Sequence, residues 1–228
     1  MISSLFPLLQ LCDSNFPSGA FSHSFGLETY IQDQQILDKE SFLKAIGTYI
    51  SHQLVYCDGL ACRFIFEALE NQHISEIIKY DQLLFVSSLA NETRTGNRRI
   101  GVRLAKLCAQ LYPSEHLTNY LNQINRKEAY GHSSLVFAMV SFHLQVEKDT
   151  ALGAYLFSCV SSLIQNAVRG IPLGQTDGQK LLVEVQLLIK GAVAAINLLN
   201  PEDFGAASPG LEIAQMRHER LDVRLFMS

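Results

Sequence analysis

Residues 39–57, KESFLKAIGTYISHQLVYC, place apolar side chains at intervals of three and four residues. The apolar positions are Phe42, Ile46, Tyr49, Ile50 and Leu54. Because each residue of an α-helix turns the chain by about 100°, this spacing puts all of them on one side. The stretch therefore predicts a helix with one face buried in a core.

The same period recurs in two later stretches, and these predict further helices. The first stretch has Ile100, Leu104, Leu107, Cys108 and Leu111; the second has Leu152, Leu156, Val160, Leu163 and Ala167, with Thr150 as a candidate N-cap. Few runs alternate with a period of two, so a β-sheet is not expected. We predict an all-α fold, a helical bundle.

Segments rich in Pro and Gly separate the predicted helices at residues 14–19, 111–116, 169–178 and 200–210. Ser208 and Pro209 fit an N-cap and a first helical position, which predicts a last helix that runs through Leu221. No repeat or linker interrupts the chain. We therefore predict a single domain over residues 1–228, with a C-terminal tail at about residues 211–228.

Composition limits the class of protein. The chain has 228 residues, of which 48% are hydrophobic, which is enough for a sizeable core. Its five cysteines form no CxxC pair, which favours reduced thiols and a cytoplasmic location. The net charge of −4 gives no electrostatic support for nucleic-acid binding. The longest apolar segment, residues 181–199, carries Glu184 and Lys190, so no membrane span is predicted.

The search for catalytic residues finds only an isolated set. Ser22, Asp177 and His218 are the residue types of a hydrolase triad, but the sequence has no GxSxG motif and nothing relates them in space. A helical hydrolase is the weakest of the functional hypotheses. We predict no catalytic residue and no enzyme.

Metal and nucleotide sites lack their usual spacing. The seven histidines form no HxxxH pair, and Cys57 with Cys62 has no second pair nearby. His23, among serines and phenylalanines, fits a hydrogen-bonded structural histidine better than a ligand. Neither GxxxxGK[ST] nor GxGxxG occurs. The sequence predicts no metal ligands and no cofactor.

Two basic clusters remain. A helix over residues 92–106 would carry Arg94 and Arg98 on one side and Arg99, Arg103 and Lys106 on an adjacent one, as a solvated face or as a site for an acidic partner. Near the C-terminus lie Arg217, Arg220 and Arg224. The final residues RLFMS are too apolar for a frayed end, so the tail either docks on its own bundle or binds a partner.

Three separated motifs resemble the UreF family of urease accessory proteins. They are PSGAFSHSFGLE at residues 17–28, IPLGQTDGQ at 171–179 and LEIAQMRHERLDVRLFMS at 211–228, with ETRTGNRRIG and HSSLVFAM between them. The resemblance implies a non-catalytic, all-α homodimer that binds UreD, also called UreH. With UreD it would recruit the GTPase UreG and help to deliver nickel to apo-urease. An alternative is a direct GTPase-activating protein for UreG.

Within these motifs we predict which residues face a partner. The partner-binding set is Phe21, His23, Arg217, Arg220, Arg224 and Phe226; Arg94 or Arg98 would face the GTPase in the alternative hypothesis. Gly178 is expected early in a helix, in close packing against another helix or a second subunit. We expect the tail to fold back near Phe21, and Glu28 to begin the solvated face of the next helix.

Overall fold

The computed structural model describes residues 2–206 and 208–228, and this part of the chain contains helices and no strand. The α-helices are α1 (Ile2–Cys12), α2 (Leu27–Gln32), α3 (Lys39–Thr48), α4 (Leu60–Glu70), α5 (Ser75–Ser87), α6 (Asn91–Leu111), α7 (Glu115–Asn125), α8 (Ser133–His143), α9 (Lys148–Gly170), α10 (Gln175–Leu198) and α11 (Pro209–His218). A π-helix spans Tyr49–Gly59, and short 3-10 helices span Ala20–Ser22 and Pro201–Asp203. The predicted all-α fold is confirmed.

The stretch at residues 39–57 forms the helix that its spacing predicts. It begins with a capping box, in which Asp38 accepts from the Ser41 amide at 2.9 Å and Ser41 accepts from the Asp38 amide at 3.1 Å. The helix then continues through the π-helix into α4 and ends at Glu70. Four of the five predicted apolar positions are buried: Phe42, Ile46, Ile50 and Leu54.

Helix α8 lies at the centre of the fold. It is buried from Ser134 to Ser141 and packs against α4, α6 and α9. Residues of α1 through α10 contribute to one contiguous core around it. The loop that enters α8 is fixed by the buried carboxylate of Asp81, which accepts from the amides of Tyr130 at 2.6 Å and Gly131 at 2.9 Å.

Some predicted helix ends were wrong. Glu147, not Thr150, caps α9, because its carboxylate accepts from the Thr150 amide at 2.8 Å and Thr150 lies in the first turn. Ser208 and Pro209 do begin α11, but no cap hydrogen bond reaches the Ser208 side chain, and the helix ends at His218 instead of Leu221. A local pattern does not fix helix ends, because nearby side chains compete for the terminal backbone groups.

By length and composition, α9 and α10 could each cross a membrane, although the core helices of soluble proteins pass the same test. Half of the α9 window is buried inside the fold. The α10 window is 28% buried, and its exposed positions include Val183 and Leu187.

Gly178 lies in the first turn of α10, where α10 packs against α9. A Cβ atom at this position would stand 3.0 Å from Val168 Cγ2 and 3.7 Å from Ile164 Cγ2. The expected close packing against another helix is therefore present within the chain.

Gly178→Leu is expected to lower the free energy of unfolding by about 1–3 kcal/mol, because the larger side chain overpacks this contact. Gly191→Leu is the matched control, since it lies in the same helix and a Cβ there would meet nothing within 4 Å. Both changes gain the same helix propensity, so the difference between their urea unfolding curves measures the packing. Equal midpoints for the two variants would contradict the prediction.

Candidate partner-binding site

The first motif folds into a tight loop ahead of α2. Gly19 has φ +89°, in the left-handed region that favours glycine, and it begins the 3-10 turn Ala20–Ser22. A Cβ at Gly19 would lie 2.7 Å from Arg103 Nη1, so α6 passes directly beside the loop. The turn leaves the Phe21 side chain 53% exposed.

The first part of the predicted C-terminal tail belongs to α11, which ends at His218. The remaining residues 219–228, which alone we call the tail from here on, fold back onto this loop. The Met227 amide donates to the Ser22 carbonyl at 2.8 Å. The amides of Ser24 and Phe25 donate to the Ser228 carbonyl at 2.6 and 2.9 Å. The expected return of the tail to the neighbourhood of Phe21 is confirmed.

Glu28 holds the tail from beneath, and the expectation that it is solvated was wrong. Its side chain is buried, with 3% of the residue exposed. Its carboxylate accepts from the amides of Leu225 at 2.6 Å and Phe226 at 3.1 Å. Buried backbone N–H groups require acceptors, and this carboxylate supplies them to a segment outside any helix or sheet.

His218, at the end of α11, lies between two carboxylates. Its Nε2 is 2.9 Å from Glu28 Oε2, and its Nδ1 is 3.1 Å from Glu92 Oε2. The imidazole is thus bonded to these acids rather than to Ser22 or Asp177. The structure does not assemble the triad that the hydrolase hypothesis requires.

The three arginines near the C-terminus, one in α11 and two in the tail, have different environments. Arg224 donates to Glu92 Oε1 at 2.7 Å. Arg217 makes a bidentate pair with Asp33, at 2.6 and 2.9 Å. Arg220 is exposed, and no carboxylate of the described residues lies within 4.0 Å of it.

Phe226 and His23 lie beneath the surface. Phe226 is 6% exposed, and its ring centroid lies 5.2 Å from the Arg169 guanidinium carbon. His23 Nδ1 lies 2.7 Å from Ser228 Oγ. Burial, together with the nearby Arg99 and His218, lowers the pKa of His23 to about 4. A neutral His23 and a covered Phe226 can shape a partner surface but do not contact a partner while the tail is docked.

The side chains that point outward are Phe21, Leu225 and Met227, which we call the composite surface. Leu225 and Met227 are 66% and 53% exposed, whereas the residues that follow each of them, Phe226 and Ser228, are buried. Sequence reasoning missed Leu225 and Met227 as outward-facing residues. The signal was available, because an extended segment presents alternate side chains to opposite sides.

Arg94 and Arg98 lie apart from the composite surface. The Arg94 guanidinium carbon is 5.2 Å from the Phe85 ring centroid, and Phe85 stacks on Tyr130. Gly96, in contrast, faces His23, since a Cβ there would lie 2.8 Å from the imidazole. The helical period therefore directs the loop-facing residues and these two arginines to different sides of α6.

Neither a disulfide nor a metal cluster is found among the described residues. The five cysteines are free, and no group of three or more His, Cys, Asp or Glu side chains could hold a metal ion. Burial raises the pKa of Cys12, Cys57 and Cys108 to about 12. These thiols therefore remain protonated at neutral pH, which makes them poor ligands and nucleophiles.

Comparison with known proteins agrees with the motifs. The UreF family model matches residues 36–186. "Urease accessory protein UreF" of Bacillus sp. (strain TB-90) is 61% identical over 227 residues, which is 100% of both chains. Proteins of the same name from Lachnoclostridium phytofermentans and Geobacillus kaustophilus are 54% and 52% identical over 221 residues, covering 97% of this chain and 97% and 96% of theirs.

Proposed function

Because the chain belongs to the UreF family of urease accessory proteins, we propose that it acts in urease maturation by binding UreD, also called UreH. With UreD it recruits the GTPase UreG, and the assembly delivers nickel to apo-urease as cargo. In this proposal the chain is a cytoplasmic scaffold, with no catalytic residue and no cofactor of its own. It binds neither nucleic acid nor a membrane.

The composite surface is the observation that carries this proposal. Three large apolar side chains are exposed on a loop and a tail that backbone hydrogen bonds join. The cations Arg99 and Arg103 border the same loop. Aromatic residues, Met and Arg are the residue types enriched at the centres of protein interfaces. A surface whose shape is fixed before binding also loses less conformational entropy on association.

Arg224→Ala is expected to weaken UreD binding by about 1.5–3 kcal/mol, because it removes the charge-assisted bond between the tail and Glu92. The helical bundle remains folded, since Arg224 lies outside the core. Lys at this position restores binding only in part. Titration of UreD, with circular dichroism of each variant, measures both effects.

Arg126→Ala is the matched control for that experiment. It removes the same charge from an exposed position at the end of α7, a helix that packs against α6 and α8. UreD binding by Arg224→Ala equal to that of the control would refute the composite surface. A globally unfolded Arg224→Ala would assign the residue a structural role instead.

The same proposal includes a homodimer, and α10 offers the surface for it. Val183, Leu187 and Leu198 are 66%, 76% and 82% exposed. With Ala194 they are spaced by four, seven and four residues, which is one continuous stripe on a helix. An apolar stripe of this length on a monomer typically marks an interface. Gly178 lies on the buried side of α10, where it sets how closely α10 packs on α9 within one subunit.

Leu187→Glu is expected to weaken self-association by at least about 2 kcal/mol, because a charge would be buried in an apolar interface. The fold of the single subunit should hardly change, since the side chain is exposed within it. Gly178→Leu is expected to have the opposite effects. It lowers the stability of the single subunit, and it leaves self-association unchanged. Sedimentation velocity over a concentration series distinguishes the two, and wild-type association by Leu187→Glu would exclude this stripe.

A second candidate is direct activation of GTP hydrolysis by UreG. It is favoured by Arg98, which is exposed and has no carboxylate within 4.0 Å in the described parts of the chain. An inserted guanidinium can stabilise the charge on a transferring phosphoryl group. Single-turnover hydrolysis by UreG, with UreD and with wild-type chain or Arg98→Ala, separates the two candidates. Loss of stimulation in Arg98→Ala supports activation, and equal rates support the scaffold.

A further inference from the structure

The environment of His218 requires both of its ring nitrogens to donate. The residue is 0% exposed, and each nitrogen faces a carboxylate oxygen, of Glu28 at 2.9 Å and of Glu92 at 3.1 Å. A neutral imidazole has one donor and one acceptor, and an ionised carboxylate only accepts. Between two ionised carboxylates, only the imidazolium form satisfies both contacts.

The two carboxylates that flank this imidazole are the same ones that hold the tail. Glu28 accepts from the Leu225 and Phe226 amides, and Glu92 accepts from the Arg224 guanidinium at 2.7 Å. Burial opposes ionisation of Glu92, but the hydrogen bonds from Arg224 and from the imidazole prevail and hold its pKa below the usual value. The charge of the imidazole is therefore coupled to three anchors of the tail.

The other charged groups nearby do not replace this cation. Burial, Arg99 and His218 lower the pKa of His23 to about 4, so His23 is neutral near pH 7. Glu219 accepts from the Glu92 amide at 3.1 Å and adds a further negative charge. Neutral His218 would leave a ring lone pair against a carboxylate, and it would leave the buried Glu28 without a counter-ion.

We propose that His218 is a protonation switch for the tail. The imidazolium holds residues 219–228 on the loop at Phe21, and loss of its proton releases them. The favourable contribution is present while the imidazole is protonated and is lost as the pH rises. On the acid side it is lost when Glu92 becomes protonated, which its lowered pKa places below the usual range for a carboxyl group. The functional consequence rests on the proposed function, in which the tail forms part of the UreD surface.

The first test uses the free, full-length chain labelled with ¹⁵N. Long-range ¹H–¹⁵N spectra recorded across pH report whether the His218 ring carries one proton or two. Hydrogen exchange of the Leu225 and Phe226 amides, divided by the intrinsic base-catalysed rate, reports tail docking on the same samples. We expect two ring protons while the tail is docked. The protection factors should then fall by at least about tenfold over the pH range in which the second proton is lost.

His218→Gln is expected to lower the protection of these amides by at least about tenfold near neutral pH, and the protection factors should then no longer fall as the pH rises. His73→Gln is the control, because His73 is exposed and lies far from the tail in sequence. Should His218→Gln not fold, Glu92→Gln keeps the shape of the site and removes one of the two anions. It should then release the tail at a lower pH than wild type.

A singly protonated His218 ring beside a protected tail would overturn the proposal. So would wild-type protection in folded His218→Gln, or an unchanged release pH in Glu92→Gln. UreD titration across the same pH range separates this inference from the proposed function. Tail release with unchanged UreD affinity would refute the UreD surface and leave the switch standing. A tail that stays docked at every pH would refute the switch alone.

Discussion

Replacing Glu28 by alanine is expected to lower the free energy of unfolding by about 3–5 kcal/mol, the cost of breaking a buried charged network from one side. The carboxylate accepts from His218 and from the Leu225 and Phe226 amides, and alanine leaves all three donors without it. Because the tail can detach before the bundle unfolds, part of the loss should appear as tail release. Urea unfolding followed by circular dichroism, with limited proteolysis of the tail, measures both parts.

Two further variants make the Glu28 result specific. Glu28→Gln keeps the shape of the side chain and removes its charge. Its free energy of unfolding should therefore lie between that of the wild type and that of Glu28→Ala. Glu76→Ala removes a carboxylate whose partner is the exposed Lys79, and it should cost at most about 1 kcal/mol. If Glu28→Ala were as stable as Glu76→Ala, the buried network would not stabilise the fold.

Gly101→Ala should lower the free energy of unfolding by about 3 kcal/mol or more, because the methyl group would collide with backbone atoms. The new Cβ would lie 2.6 Å from the Gly131 carbonyl oxygen and 2.7 Å from His132 Cα. These atoms cannot move aside easily, since Asp81 holds the Tyr130 and Gly131 amides. The change therefore strains the crossing between α6 and the loop that enters α8.

Gly47→Ala provides the matched comparison. Gly47 lies in α3, and its added Cβ would meet Leu188 Cδ1 at 3.7 Å, an ordinary contact. Alanine should there stabilise the helix by about 0.5–1 kcal/mol. Thermal unfolding of both variants measures the difference, and a Gly101→Ala protein as stable as Gly47→Ala would show that α6 and the loop can separate without cost.

Much of the fold was predictable, because helix formation follows from local periodicity. The spacing at residues 39–57 predicted a helix with five apolar residues on a buried face; Phe42, Ile46, Ile50 and Leu54 are buried, and Tyr49 is partly exposed. The later stretch that begins at Ile100 also predicted that Leu111 is buried, and this was wrong, because that residue is 43% exposed. A period shows which residues share a face, but the extent of the covering neighbour decides where burial stops.

The candidate site was predictable only in part. The apolar character of RLFMS indicated that the tail must dock, and the motifs indicated a partnership with the loop at Phe21. Whether His23 and Phe226 point outward could not be read from the motif, and both are buried. The helical spacing placed Arg94 and Arg98 on one side of α6 and Arg99 and Arg103 on an adjacent one, and the two pairs do face different sides.

Residue types and their short-range spacing were sufficient to predict the helical class and its main apolar faces, and the motifs were sufficient to identify the UreF family. The environment of Glu28 depends instead on contacts between distant parts of the chain. Its acidic side chain near the start of a helix suggested a solvated face, yet it lies 190 residues before His218 and accepts from it at 2.9 Å. A buried carboxylate is stable only where donors converge on it, and here they come from His218 and from the amides of residues 225 and 226, which reach Glu28 only in the folded protein.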